Sequence, residues 1–202
     1  MQRTRRRWIL PPPEWVLAVV GVLLIGWYFL SMASAGLYQA HATRWFESLR
    51  HSDHAHDPVA AMAQRGAIVG RLDIPSIGMK TMVAEGTDAG TLRRAVGHWS
   101  HSPLPGRKGR SILAGHRDTF FRHLNRVHRG DVITLETPSG DVKYRVSNTA
   151  VIDPDNVEAL RLGAPSGLTL VTCYPFHFIG PAPHRYIVLA DRIDASPVLL
   201  AP

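Results

Sequence analysis

Leu168-Thr169-Leu170-Val171-Thr172-Cys173-Tyr174-Pro175-Phe176 is an apolar and β-favouring run closed by a proline, and its cysteine is the only one among the 202 residues. Two threonines and a valine within five residues suit a pleated, half-buried surface, so Leu168 to Thr172 is predicted to be a strand ending at Cys173. The same texture extends outward on both sides. Tyr186-Ile187-Val188-Leu189-Ala190 begins a strand just after Arg185, and Ser111-Ile112-Leu113-Ala114 reads as a short buried strand that delivers His116 to its end.

Further toward the N-terminus, Ala67 to Ile74 reads as a strand stopped by Pro75-Ser76-Ile77-Gly78, with a second short strand over Lys80 to Val83. Val132 to Glu136 and Val142 to Val146 flank Thr137-Pro138-Ser139-Gly140-Asp141, a hairpin with glycine where a turn needs it. Thr87 to Val96 is predicted to hold a brief helix capped by Thr87 or Asp88. His98 to Lys108, with Pro103, Pro105 and Gly106, reads as a loop, and Phe120 to Leu124 as a helical turn. Many short strands with few long helices predict a mainly β fold, a closed or nearly closed β-barrel. Roughly 135 residues from Ala67 onward suffice for one modest core.

Ahead of that domain lies a different kind of sequence. From Trp15 to Thr43 no residue carries a formal charge with histidine neutral, and Val16 to Leu30 is almost wholly apolar. With the small residues up to Leu37 this covers the ~20 positions that span a bilayer as a helix. Trp15 at one end and Trp27-Tyr28 toward the other suit the interfacial positions of aromatic rings. Arg3, Arg5, Arg6 and Arg7 precede the stretch and favour a cytoplasmic N-terminus with the remainder exported. Ala33-Ser34-Ala35 resembles a signal-peptidase site, but the apolar region exceeds the ~7–15 residues of a signal sequence, which favours an uncleaved anchor. The expected organisation is a basic tail over 1–14, an anchor over 15–37, a stalk and linker over 38–65, and a catalytic domain over 66–202. Pro11 to Pro13 are expected to end regular structure on the cytoplasmic side.

Charge excludes one function class. The net charge of +7 includes the four N-terminal arginines; beyond Glu14 there are 19 basic and 15 acidic residues, with no basic block of the kind that binds nucleic acid. The run His51-Ser52-Asp53-His54-Ala55-His56-Asp57 has metal-ligand residue types but no scaffold to orient them, and it reads as a solvated linker. No metal is therefore assigned.

Outside the cytoplasm a thiol with no partner in its own chain is an inert buried residue, an intermolecular bridge or a nucleophile. Taken singly, Cys173 could be a small core residue, His116 is one of eleven histidines, and Arg185 would pass for an ion-pair residue. Together, at strand ends, they supply the parts of acyl transfer. A free thiol, with a pKa of about 8.5, needs a nearby cation to become thiolate. Imidazole can be that cation, or a base and later an acid, and guanidinium can face an oxyanion.

Three local runs, Ala114-Gly115-His116-Arg117-Asp118-Thr119-Phe120-Phe121, Thr169-Leu170-Val171-Thr172-Cys173 and Arg185-Tyr186-Ile187-Val188, resemble the sortases, membrane-anchored cysteine transpeptidases. The second matches the family's TLxTC pattern residue by residue. The order His, Cys, Arg and the short gap from Cys173 to Arg185 fit as well, over roughly Ala67 to Arg192. Tyr174-Pro175-Phe176 and the His-Arg-Asp run look most like class D or the related proteobacterial type.

The resemblance implies an eight-stranded barrel with short helices behind one N-terminal transmembrane helix. It implies Cys173 as nucleophile, His116 as general acid and base, Arg185 at the oxyanion or substrate backbone, and Thr172 as an aid to substrate positioning. The implied partners are an exported protein bearing an LPxTG-like sorting signal and an amine acceptor, either a peptidoglycan precursor or another protein. No cofactor is expected. Some sortases bind calcium, but Asp73, Glu85 and Asp88 are too scattered for an oxygen-ligand loop to be inferred.

Three other readings compete. An L,D-transpeptidase would show a serine-histidine-glycine-cysteine run, absent here. An inactive tethered barrel would bind peptide or a partner protein without chemistry. Metal binding by Cys173 with His177 or His184 lacks the usual ligand spacing among Pro175, Pro181 and Pro183. If the enzyme reading holds, His116, Cys173 and Arg185 should meet at one groove on the barrel.

Overall fold

In a computed structural model, which describes residues 12–51, 66–178 and 180–193, the apolar stretch forms a single helix α1, Pro13–His51, of 39 residues. Pro13 begins it rather than ending structure, because the first helical position needs no N–H donor. The helix continues past residue 37 without a break. At 1.5 Å per residue it is about 58 Å long, close to twice a bilayer's hydrocarbon thickness. It is long and apolar enough to cross a membrane. The His/Asp run beyond His51 lies outside the described residues.

The far part of α1 docks on the barrel. Ala42 and Phe46 are buried against Ile68 and Met82, with Tyr38 at the margin. Gln39 Oε1 accepts from the Met82 amide at 2.8 Å, and its Nε2 donates to the Arg94 carbonyl at 2.6 Å. Arg71 lies over the Phe46 ring, donates to Glu47 Oε1 at 2.7 Å and pairs with Glu136.

Eight strands follow: β1 Ile68–Ile74, β2 Met79–Glu85, β3 Val96–His98, β4 Arg110–Ala114, β5 Val132–Thr137, β6 Gly140–Ile152, β7 Gly167–Tyr174 and β8 His184–Arg192. They close into a barrel in the order β1-β2-β3-β4-β7-β8-β6-β5. The β2–β3 and β4–β7 pairs are parallel, the others antiparallel. Val69, Leu72, Val83, Leu113, Phe121, Leu135, Tyr144, Leu170 and Val188 are among the side chains that fill it.

Two elements differ from the sequence reading. Val96–His98, assigned above to a helix end and a loop start, is a strand that bridges β2 and β4. Gly97 is what lets it pass, since a Cβ there would come within 2.9 Å of Leu92 Cδ2. The second strand of the hairpin does not stop at Val146. It runs to Ile152 through the polar Ser147-Asn148-Thr149, and a bulge between Val146 and Asn148 keeps it paired to β8. The brief helix α2, Ala89–Leu92, is capped by Asp88, whose carboxylate accepts from the Gly90 and Thr91 amides at 3.0 and 3.1 Å.

A buried arginine staples β4, β7 and β8 at one end. Arg110 Nη1 donates to the carbonyls of Leu168 and Ala190 at 2.9 and 3.1 Å, and Nη2 reaches Ala164 O at 3.2 Å and Asp191 Oδ1 at 2.6 Å. Burial alone would push the Asp191 carboxyl up, but the hydrogen bond from Arg110, with the Ala164 amide and other donors, outweighs it and holds the group below its ordinary value. Arg110→Met should cost about 3 kcal/mol in denaturant melts, because it removes the cation paired with Asp191 and the bonds to two strand carbonyls.

Glu136 behaves in the same way. Burial raises its pKa, and the hydrogen bond and charge of Arg71, with Lys80 behind it, bring it below the usual carboxylate range. The resulting stabilisation is complete above that range and is lost as falling pH protonates the folded protein. Glu136→Gln should therefore cost ~1–2 kcal/mol at neutral pH. The gap to the parent should close as melts are repeated below about pH 4.

Candidate active site

The β4–β7 pair runs parallel, so both strands end at the same rim of the barrel, and antiparallel β8 begins there. Cys173 lies in the last turn of pleat in β7, directly opposite Arg185 in β8. Directly opposed residues of an antiparallel pair share a face. Leu168 and Leu170 point into the core, so Cys173 falls with Thr169 and Val171 on the outside. On β8 the outward set is Arg185, Ile187 and Leu189, and Arg185 is also paired with Ile152 of β6. Outward-facing Ala150, Ile152, Val171 and Ile187 make an apolar floor beside the thiol, backed by Ala159 and Leu160 of a short 3₁₀ turn.

His116 stands two residues past the end of β4. Ala114 is in register with Val171, and the Gly115 amide donates to Val171 O at 3.2 Å. Carried two residues further along each strand, that register brings His116 level with Cys173. The structure thus brings all three residues to one rim, Cys173 and Arg185 on paired strands and His116 just past the end of β4, each partly buried. The side chain of Thr172 is turned inward, 3% exposed, and its hydroxyl donates to Gly115 O at 2.7 Å.

Local packing fixes these positions. A Cβ on Gly115 would come within 2.7 Å of the fully buried Phe121 ring, so the chain leaves β4 hard against the core. Past His116 the chain turns, with the Phe121 amide donating to His116 O at 3.0 Å. The segment ends at Asp131. Hydrogen bonding from the His128 amide at 3.0 Å and the Ser76 hydroxyl at 2.7 Å holds that carboxyl below its ordinary pKa despite some desolvation. Tyr174, Phe176 and Tyr186 pack ring on ring beside Cys173, with Phe176 and Tyr186 centroids 5.4 Å apart. Arg185 Nη1 donates to the carbonyls of Ala182 and His184 at 3.2 and 3.0 Å.

Some neighbours escaped the sequence reading. Arg117 was seen only as part of a motif, yet it donates to Pro175 O at 2.9 Å, Phe178 O at 2.6 Å and Gly180 O at 3.3 Å. His98 and Glu85 form a buried pair, Nδ1 to Oε2 at 2.6 Å, below the barrel surface. A histidine inside the apolar run Val96 to Trp99 was its one sequence signal. Of the scattered acids considered for calcium, Glu85 is thus engaged with His98, Asp88 caps α2, and Asp73 lies 3.4 Å from Lys80 Nζ. His184 Nδ1 lies 3.3 Å from Asp153 Oδ1, and no cluster of three or more metal-ligand side chains occurs among the described residues.

The fold and rim define a closed eight-stranded barrel with cysteine and arginine paired across two strands and histidine on a third. A family profile described as the sortase domain matches residues 72–193. Sortase D of Bacillus subtilis is 36% identical over 143 residues, 70% of this chain and 72% of that protein. A Clostridium perfringens Sortase D5 transpeptidase shares the fold with a TM-score of 0.67 at 24% identity, covering 77% of this chain and 98% of its own. Sortase C of Clostridium perfringens, solved with the C-terminal cell wall sorting motif, aligns with a TM-score of 0.60 at 26% identity, over 76% of this chain and 85% of that one. The chain belongs to the sortase family of transpeptidases. The likeness to a Sortase D agrees with the sequence's resemblance to class D or the related proteobacterial type.

Gly115→Ala should destabilise the protein by ~1–3 kcal/mol through overpacking. Phe121→Leu in the same chain should recover part of that loss, as read by thermal melts.

Proposed function

We propose that this protein is a membrane-anchored transpeptidase that cleaves an LPxTG-like sorting signal through a thioacyl intermediate and passes the acyl group to an amine. The observation that carries the reading is the pairing of Cys173 with Arg185 on the outer face of the barrel, with His116 at the end of the adjoining parallel strand.

In this reading the Cys173 thiolate attacks the carbonyl carbon of the signal's threonine, and the bond that breaks is the one joining that carbon to the following residue's nitrogen. The oxyanion so formed faces the Arg185 guanidinium, a planar cation with several N–H donors. The tetrahedral adduct collapses as His116 protonates the departing amine, leaving a thioester on Sγ. The acceptor amine then attacks that thioester, His116 takes up its proton, and the thiolate leaves. Dividing one amide exchange into two acyl transfers lowers each barrier. The apolar floor of Ile152, Val171 and Ile187 suits the leucine and proline side chains of such a signal. Thr172 acts at one remove, through Gly115.

The anchor is the apolar part of α1 over residues 15–37, with the arginines that precede it in sequence inside the cell and the barrel outside. Whether the acceptor is a peptidoglycan precursor or another protein is a matter of which amine resolves the thioester.

The test is intact-mass spectrometry of the full chain in detergent, so that α1 stays docked, incubated with LPxTG-like and LPxTA-like peptides. A mass gain equal to the peptide's N-terminal fragment, absent in Cys173→Ala, is expected. No adduct with any of these peptides, while Cys173 is still readily alkylated, would overturn the signal assignment. A Cys173 that resists alkylation as well would favour the inactive, peptide-binding barrel.

A further inference from the structure

The backbone at His116 is held from both sides by the chain that carries Cys173. Before it, Gly115 bonds to Val171 through its amide and to Thr172 through its carbonyl. After it, Arg117 donates to Pro175, two residues past the cysteine, and on to Phe178 and Gly180. Its guanidinium also lies 5.9 Å from the centre of the Phe178 ring. One side chain thereby ties the His116 segment to the connection between β7 and β8, which joins Cys173 to Arg185.

We propose that Arg117 is a positioning residue for the transpeptidation reaction, latching the β7–β8 connection to the chain at His116 so that all three site residues keep one geometry. This inference rests on the proposed function above. The chemistry favours arginine. Pro175, Pro181 and Pro183 have no amide hydrogen, so this connection has fewer amide donors of its own to hold its carbonyls. Three carbonyls in a fan call for a planar fork of several donors, which guanidinium has and a single ammonium does not. Bonds from a charged donor are also about twice as strong as neutral ones. The acceptors are all main-chain, so the latch is blind to the side chains of the connection.

The full chain in detergent can be probed by iodoacetamide alkylation of Cys173 across the range in which imidazole titrates, beside the rate of peptide adduct formation. Arg117→Ala is expected to slow adduct formation ~10–100-fold, the scale of a misplaced catalytic group. Its alkylation profile should move toward that of His116→Ala. Arg117→Lys keeps the charge and loses the fork, so it should share most of the loss, with a melting temperature close to the parent's. A parent-like rate and profile in Arg117→Lys would mean that only charge matters and would overturn the latch. So would an unchanged profile in Arg117→Ala when that of His116→Ala has moved. An unchanged profile in His116→Ala would overturn the Cys173–His116 pairing of the proposed function, and the latch with it.

Discussion

Parallel pairing of β4 with β7 is the constraint on which the site depends. Two antiparallel strands would carry their chain ends to opposite rims, whereas a parallel pair brings both C-terminal ends together. Residues 116 and 173, far apart in sequence, come to the same rim because the strands that lead to them are aligned in direction and register. The antiparallel β8 then enters at the same rim and sets Arg185 against Cys173. Both ends of this three-strand unit are tied by buried polar groups. Arg110 binds carbonyls of β7 and β8 at one end, and Thr172 binds Gly115 at the other.

Closure of the barrel explains why such a small domain can carry chemistry on its outside. A closed sheet leaves no unpaired edge to recruit another chain. The inward-facing side chains are dense and apolar, from Val69 and Leu72 to Leu170 and Val188. The strands are therefore rigid supports for outward-facing groups, and a site built on strand ends needs little reorganisation when it acts. The second, smaller apolar surface around Ile187 lies outside the barrel and leads up to Arg185 and Cys173.

The N-terminal helix is more than a leash. Its docked part meets β1 and β2 through Phe46, Gln39 and Arg71, so helix and barrel share buried surface and polar contacts. A linker of solvated chain would impose only a maximum distance between the apolar segment and the barrel. A docked helix also restricts the orientation of one relative to the other.

Much of the molecule was legible from its sequence. Strong local signals marked the apolar helix, most strands and the three candidate residues His116, Cys173 and Arg185, because periodicity, turn residues and motif spacing are properties of neighbours in the chain. Val96–His98 was missed because a strand of three residues has no period to read; its pairing on both sides makes it a strand. The extension of β6 past Val146 was missed because the polar Ser147-Asn148-Thr149 interrupts the apolar run, and only β8 supplies its partners. Thr172 and Arg117 sat in plain view inside motifs, but their bonds run to residues 57 to 63 positions away. Composition and local pattern therefore determined which groups are present and the class of reaction they suit. Only the tertiary structure decided that Cys173 faces outward, that Thr172 faces inward, and that Arg117 bonds to the connection between β7 and β8, because each outcome depends on which distant segment lies alongside.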